Sequence, residues 1–167
     1  KVADSLLSKS WTTLLPIEKY TESTPDNTPY EGLFDGEKTP TFPHNLPALK
    51  DSSSELIRQV PMGNTLTTMF AKEILKNEKL GKGNETDLLA ISYTSTDYVG
   101  HMFGINAIEL QDTYLRLDIE IADLLKSLDE YVGKDNYTLF LSADHAAANN
   151  PVFSSDNNLK GGIISMK

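Results

Sequence analysis

Cysteine is absent from this 167-residue chain, which excludes disulfides, thiolate metal sites and cysteine nucleophiles together. Its absence leaves the compartment open, since such a chain tolerates oxidising and reducing surroundings alike. No run approaches the roughly 18 consecutive apolar residues that a membrane-spanning helix needs, so membrane insertion is not expected. Basic residues are also scarce: 15 Lys and Arg against 24 Asp and Glu give a net charge of -9. A chain this acidic is a poor partner for nucleic acid polymers or anionic membrane surfaces. What is present is ordinary globular composition, 39% hydrophobic, 8% aromatic and 23% charged, enough for one domain with a sizeable core. The chain opens at Lys1 without a signal-like stretch, and Gly161 to Lys167 reads as the start of a further strand. Both ends read as interior to a longer chain.

The organisation falls into two parts. Residues 1–61 form an irregular cap or insertion segment. Leu6 to Leu15 has helix-like content stopped by Pro16, and prolines at 25, 29, 40, 43 and 47 break any longer element. Residues 62–167 read as part of an α/β metal-binding core. Asn64 or Thr65 can cap a helix with apolar Leu66, Met69, Phe70, Ile74 and Leu75, ended by Gly81 and Gly83. Residues 87–93 and 137–143 are apolar without alternation, as buried parallel strands are. Between them a helix is expected over 107–132, closed by Gly133, with an inward stripe from Ile108 through Tyr114 or Leu115, Leu117 or Ile119, to Leu124, Leu125 and Leu128. A third strand is expected at 163–166. This order makes βαβ units, hence an α/β fold with a mainly parallel sheet flanked by helices.

Only three histidines occur, and two have an aspartate beside them or four residues before. Asp97 and His101 follow the first apolar run, and Asp144 and His145 follow the second. In open α/β sheets the crevice at the carboxyl ends of the strands is where ligands bind. If a helical turn begins near Asp97, its side chain and that of His101 share one face, while Gly100 suggests close backbone approach rather than a plain helix. Carboxylate and imidazole together suit zinc and related divalent ions. Two such clusters in one crevice suit a pair of metals about 4 Å apart, clamping a displacement at phosphorus or sulfur. The bland alternative makes Asp144 a turn cap, His145 a surface histidine and Asp97–His101 a helical charge pair, all within a non-enzymatic α/β module. His44 has no carboxylate beside it in the chain and is not a ligand candidate. Trp11, Tyr20 and Tyr30 are more readily packing residues than the lining of a substrate cap.

Ser95-Thr96-Asp97-Tyr98-Val99-Gly100-His101 and Ser142-Ala143-Asp144-His145-Ala146-Ala147 resemble the two metal motifs of the alkaline phosphatase superfamily. The likeness is strongest to the branch of type I phosphodiesterases and the related bacterial alkaline phosphatases. The 47-residue separation of Asp97 and Asp144 agrees, as do Leu14 to Tyr20 and Pro61 to Thr65. The resemblance implies a sandwich fold and two zinc ions, one held by Asp97 and His101, the other by Asp144 and His145. It implies a small-molecule phosphate ester as substrate, with a phosphomonoesterase reading first and a phosphodiesterase or nucleotide pyrophosphatase as the alternative. It also implies a periplasmic or secreted setting. The family's nucleophile and remaining ligands belong to segments outside these residues, so no catalytic nucleophile is assigned here. Ser95 and Thr96 only precede the ligand in the family motif, and hydrogen bonding at the element's end is their expected role.

Overall fold

The computed structural model describes residues 1–51, 53 and 55–162. Its regular elements are helical: α1 (Val2–Leu6), α2 (Leu46–Leu49), α3 (Met62–Asn77), α4 (Thr94–Phe103), α5 (Ile108–Leu128) and α6 (Pro151–Asp156). Short 3₁₀ turns occur at Ile17–Lys19 and Leu56–Gln59, and a π turn at Asp129–Gly133 extends α5. The α/β expectation is therefore corrected. Among the described residues there is no sheet, and the single β-type pairing is the antiparallel bridge between Trp11 and His44. The runs 87–93 and 137–143 carry no strand, and the run at 163–166 lies outside the described residues. The reason is physical. A strand exists only through hydrogen bonds to a neighbour, and neither run meets one. Leu88 and Phe140 are each 81% exposed and Leu141 76%, so the apolar continuity that signals burial is unanswered among the described residues.

Two helices also differ from expectation. The run from Leu6 to Leu15 is helical only to Leu6. In α3 the expected face holds only in part: Leu75 is buried and Leu66 and Ile74 are half-buried, but Met69 and Phe70 are exposed, and Gly63, Asn64, Thr68 and Ala71 are buried instead. Small residues permit close approach, and Gly63 shows how close. A Cβ there would fall 2.1 Å from Ser95 Oγ and 2.3 Å from the Ile57 carbonyl, so α3 packs directly on the backbone of the Leu56–Gln59 turn and on the Ser95 side chain of α4.

The core unites the irregular first part with α4 and α5. Trp11, Phe34, Leu46, Leu56, Val60, Val99, Phe103 and Leu110 form one buried cluster. At its centre lies His44, fully buried, with the rings of Trp11, Phe34, Phe42 and Phe103 4.9–5.4 Å from its own. Its carboxylate partners come from elsewhere in the chain: Nδ1 lies 3.0 Å from Glu37 and Nε2 3.2 Å from Glu109. Glu109 occupies the first turn of α5, where the helix dipole favours a negative charge.

Burial pulls the His44 imidazolium down, but the bonds to Glu109 and Glu37 outweigh it and leave its pKa above the ordinary 6.5. Burial and the nearby Glu109 carboxylate push Glu31 up to about 7. Both groups hold protons more tightly in the fold than in the unfolded chain, so stability falls as pH rises. The Glu31 contribution is complete below its ordinary 4.5 and lost as pH climbs through about 7. The His44 contribution is complete below 6.5 and lost above its raised value. Urea denaturation of the metal-free full-length protein between pH 6 and 9 should therefore show a falling midpoint, with a shallower fall for His44→Gln. A midpoint rising with pH would contradict this assignment.

Candidate metal centre

Helix α4 places Asp97 and His101 one turn apart on one face. Asp97 lies in its first turn and His101 in its last, each favoured there by the helix dipole. Gly104, at φ 88°, then turns the chain away, its N–H bonding the Gly100 carbonyl at 3.0 Å. Gly100 itself sits in plain helix, and a Cβ there would make ordinary contact with Leu110 at 3.7 Å. Close approach is thus not its role.

His145 arrives from the other cluster. Its Nε2 is 3.4 Å from Asp97 Oδ1, and His101 Nε2 is 3.3 Å from the same oxygen. The two imidazole rings have centroids 6.2 Å apart. One ligating atom from each of Asp97, His101 and His145 falls within 4.8 Å of the others. Asp144 stands at the edge, its Oδ2 3.7 Å from His145 Nε2 and its side chain 90% exposed. The two Asp/His clusters, 47 residues apart in sequence, therefore meet in space. One carboxylate and two imidazoles are a donor set that fits zinc, whose catalytic sites commonly carry three protein ligands.

The neighbours divide into those that sequence reading anticipated and those it missed. Ser95 is buried against Gly63, and Thr96 Oγ1 accepts from Asn64 Nδ2 at 3.0 Å. Both therefore bind structure rather than substrate. Arg58 was missed: it stacks 4.5 Å over the ring of Tyr98, bonds its hydroxyl and pairs with Glu55. A cavity of about 240 Å³ opens beside it, lined by Ile57, Gly63, Leu66, Thr94 and Ser95. A broader one of about 500 Å³ lies along the loop after His145, with Ile105, Ala147, Asn149, Ser154 and Lys160 among its walls. No motif marks Arg58 or Lys160 in the sequence. Among the described residues, no helix is long and apolar enough to cross a membrane.

A sequence profile of type I phosphodiesterases and nucleotide pyrophosphatases matches residues 11–160. The chain belongs to this family. The chain is 54% identical over 170 residues to a protein named calcium-transporting ATPase from Myroides odoratus, covering all of this chain and 31% of that protein. It is 47% identical over its whole length to alkaline phosphatase PhoV of Synechococcus elongatus, covering 30% of that protein. The crystal structure of alkaline phosphatase PafA superposes with a TM-score of 0.92 at 47% identity, over 95% of this chain and 31% of PafA. The chain thus spans about a third of the length of these relatives.

Proposed function

We propose that this chain is part of a zinc-dependent phosphate-ester hydrolase, a phosphomonoesterase of the alkaline type. The observation that carries the reading is the meeting of Asp97, His101 and His145 within ligand distance of one another. In this reading Asp97 and His101 hold one zinc, and Asp144 and His145 the second. Bound there, zinc supplies Lewis-acid stabilisation of the charge that develops on the phosphoryl and ester oxygens. The chain's own residues do the positioning. Helix α4 fixes Asp97 and His101 in register, and Asp97 Oδ1 lies within reach of both imidazoles. Lys160, on the wall of the cavity beyond His145, offers a cation to an anionic substrate in a chain that is otherwise strongly acidic. The same reading sets the enzyme in the periplasm or outside the cell, where lacking cysteine is compatible with oxidising surroundings.

Phosphodiester hydrolysis is the second reading, favoured by the family profile. The two separate in one experiment. The full-length protein is assayed on p-nitrophenyl phosphate, its bis ester and ATP, before and after chelation and zinc restoration. Zinc-restorable turnover with preference for the monoester is the expected result. Preference for the diester selects the second reading, and turnover of none of the three removes both.

A further inference from the structure

The metal centre depends on two segments, α4 with His101 and the loop carrying His145, that share no strand pairing among the described residues. Something must fix their separation, because a ligand set displaced by 1 Å binds metal poorly. Two of the hydrogen bonds that tie residues 138–162 to the rest of the described chain end on one residue of the Pro-rich segment, Tyr30, while another runs from Asn149 to Asn106. Asn150 Nδ2 donates to the Tyr30 carbonyl at 2.9 Å. Tyr30 Oη donates to Asp156 Oδ2 at 2.9 Å. The Tyr30 ring meets Phe153 edge-on at 5.3 Å. Two residues on, Gly32 N–H donates to the carbonyl of Met102 at 2.7 Å, and Met102 directly follows His101. The approach is so close that a Cβ on Gly32 would lie 2.6 Å from that carbonyl oxygen. A parallel tie runs from Thr24 N–H to the Asn106 carbonyl at 2.7 Å, and from Asn106 Nδ2 to Asn149 Oδ1 at 2.9 Å.

We propose that the Tyr30–Gly32 stretch is a strap that sets the spacing between His101 and His145, with Tyr30 and Asn150 as positioning residues for the metal centre. One end grips the backbone beside His101, and the other grips the loop five residues beyond His145. The strap belongs to the irregular segment, so that segment acts on the site through the backbone rather than by touching substrate. The inference rests on the metal-centre reading above.

The test uses the full-length protein and two mild variants. Asn150→Asp keeps the oxygen that accepts from Val152 N–H at 2.9 Å and caps α6, yet loses the donor to Tyr30. Tyr30→Phe keeps the ring and removes only the hydroxyl bond to Asp156. Three quantities are compared with wild type: zinc affinity, the visible spectrum of the cobalt-substituted protein, and thermal stability without metal. A positioning role predicts zinc affinity weakened by about 10–100-fold, the range seen when groups that orient metal ligands are removed. It also predicts an altered cobalt spectrum, while metal-free stability stays near wild type. Wild-type affinity and spectrum in both variants would overturn the strap while leaving the metal centre standing. A wild-type protein that binds neither ion would overturn the metal centre, and the strap with it.

Discussion

Replacing Asp97 with asparagine in the full-length protein is expected to abolish zinc binding at α4 and to lower phosphate-ester hydrolysis by at least 10²–10³-fold, as an order of magnitude. The argument is one of charge at one atom. Asp97 Oδ1 is the shared neighbour of the His101 and His145 Nε2 atoms, at 3.3 and 3.4 Å. A divalent ion held by Asp97 and His101 needs anionic charge that the imidazole does not supply, and the second imidazole belongs to the neighbouring ion in this reading. Asparagine keeps the shape and an oxygen but removes that charge. Loss of the metal forfeits several kcal/mol of transition-state stabilisation, and each 1.4 kcal/mol or so is a factor of ten in rate. The fold should survive, because Asp97 is 42% exposed and its ion pairs are with half-exposed or exposed histidines. Such pairs contribute about 0–1 kcal/mol. Zinc analysis after dialysis, with kcat/KM and circular dichroism alongside, measures all three. Full zinc content and full turnover in the variant would remove Asp97 from the ligand set.

The second large effect is structural. Asp112 is fully buried in α5, and each of its oxygens accepts two hydrogen bonds. Oδ2 takes Trp11 Nε1 at 2.7 Å and Arg116 Nε at 2.6 Å. Oδ1 takes the Leu14 amide at 2.6 Å and the Tyr20 hydroxyl at 2.5 Å. Burial, aided by Asp112, pushes the Tyr20 phenol up to about 12, so it remains a donor across the working range. Asp112→Ala strands a buried indole, a phenol, an amide and a guanidinium at once. A destabilisation of about 3–5 kcal/mol is expected, the scale on which removing one partner of a buried charge acts. Urea denaturation of the full-length protein measures it. A loss below about 1 kcal/mol would mean that water satisfies these donors and that the hub does not hold residues 11–20 to α5.

Much of the candidate site was legible because its signals are local. The Asp97–His101 spacing needs only a helical turn, and α4 supplies one. The body of α5 was legible from its periodicity and from Gly133, which sits at φ 108° at the end of the π turn. Its buried face was legible only at Ile108 and Leu124. Glu109, Asp112 and Thr113 are inside while Tyr114 and Ile119 are exposed, because the first half of the helix faces polar partners on residues 11–44. Periodicity registers hydrophobicity and is blind to a buried carboxylate three of whose four donors lie 92 to 101 residues away. The buried role of His44, set aside as a ligand, was illegible for the same reason: its partners Glu37 and Glu109 are seven and 65 residues distant. The sheet failed differently. Apolar runs at 87–93 and 137–143 are real, but a strand is a relation between two segments, and the second is not among the described residues.

The measurement that tests the central claim most directly is anomalous diffraction at the zinc edge from crystals of the full-length protein. Two peaks are expected, one bonded to Asp97 and His101 and one to Asp144 and His145, each at about 2.0–2.2 Å from its ligand atoms. Zinc-loaded crystals with no peak at any of these four side chains would contradict the account.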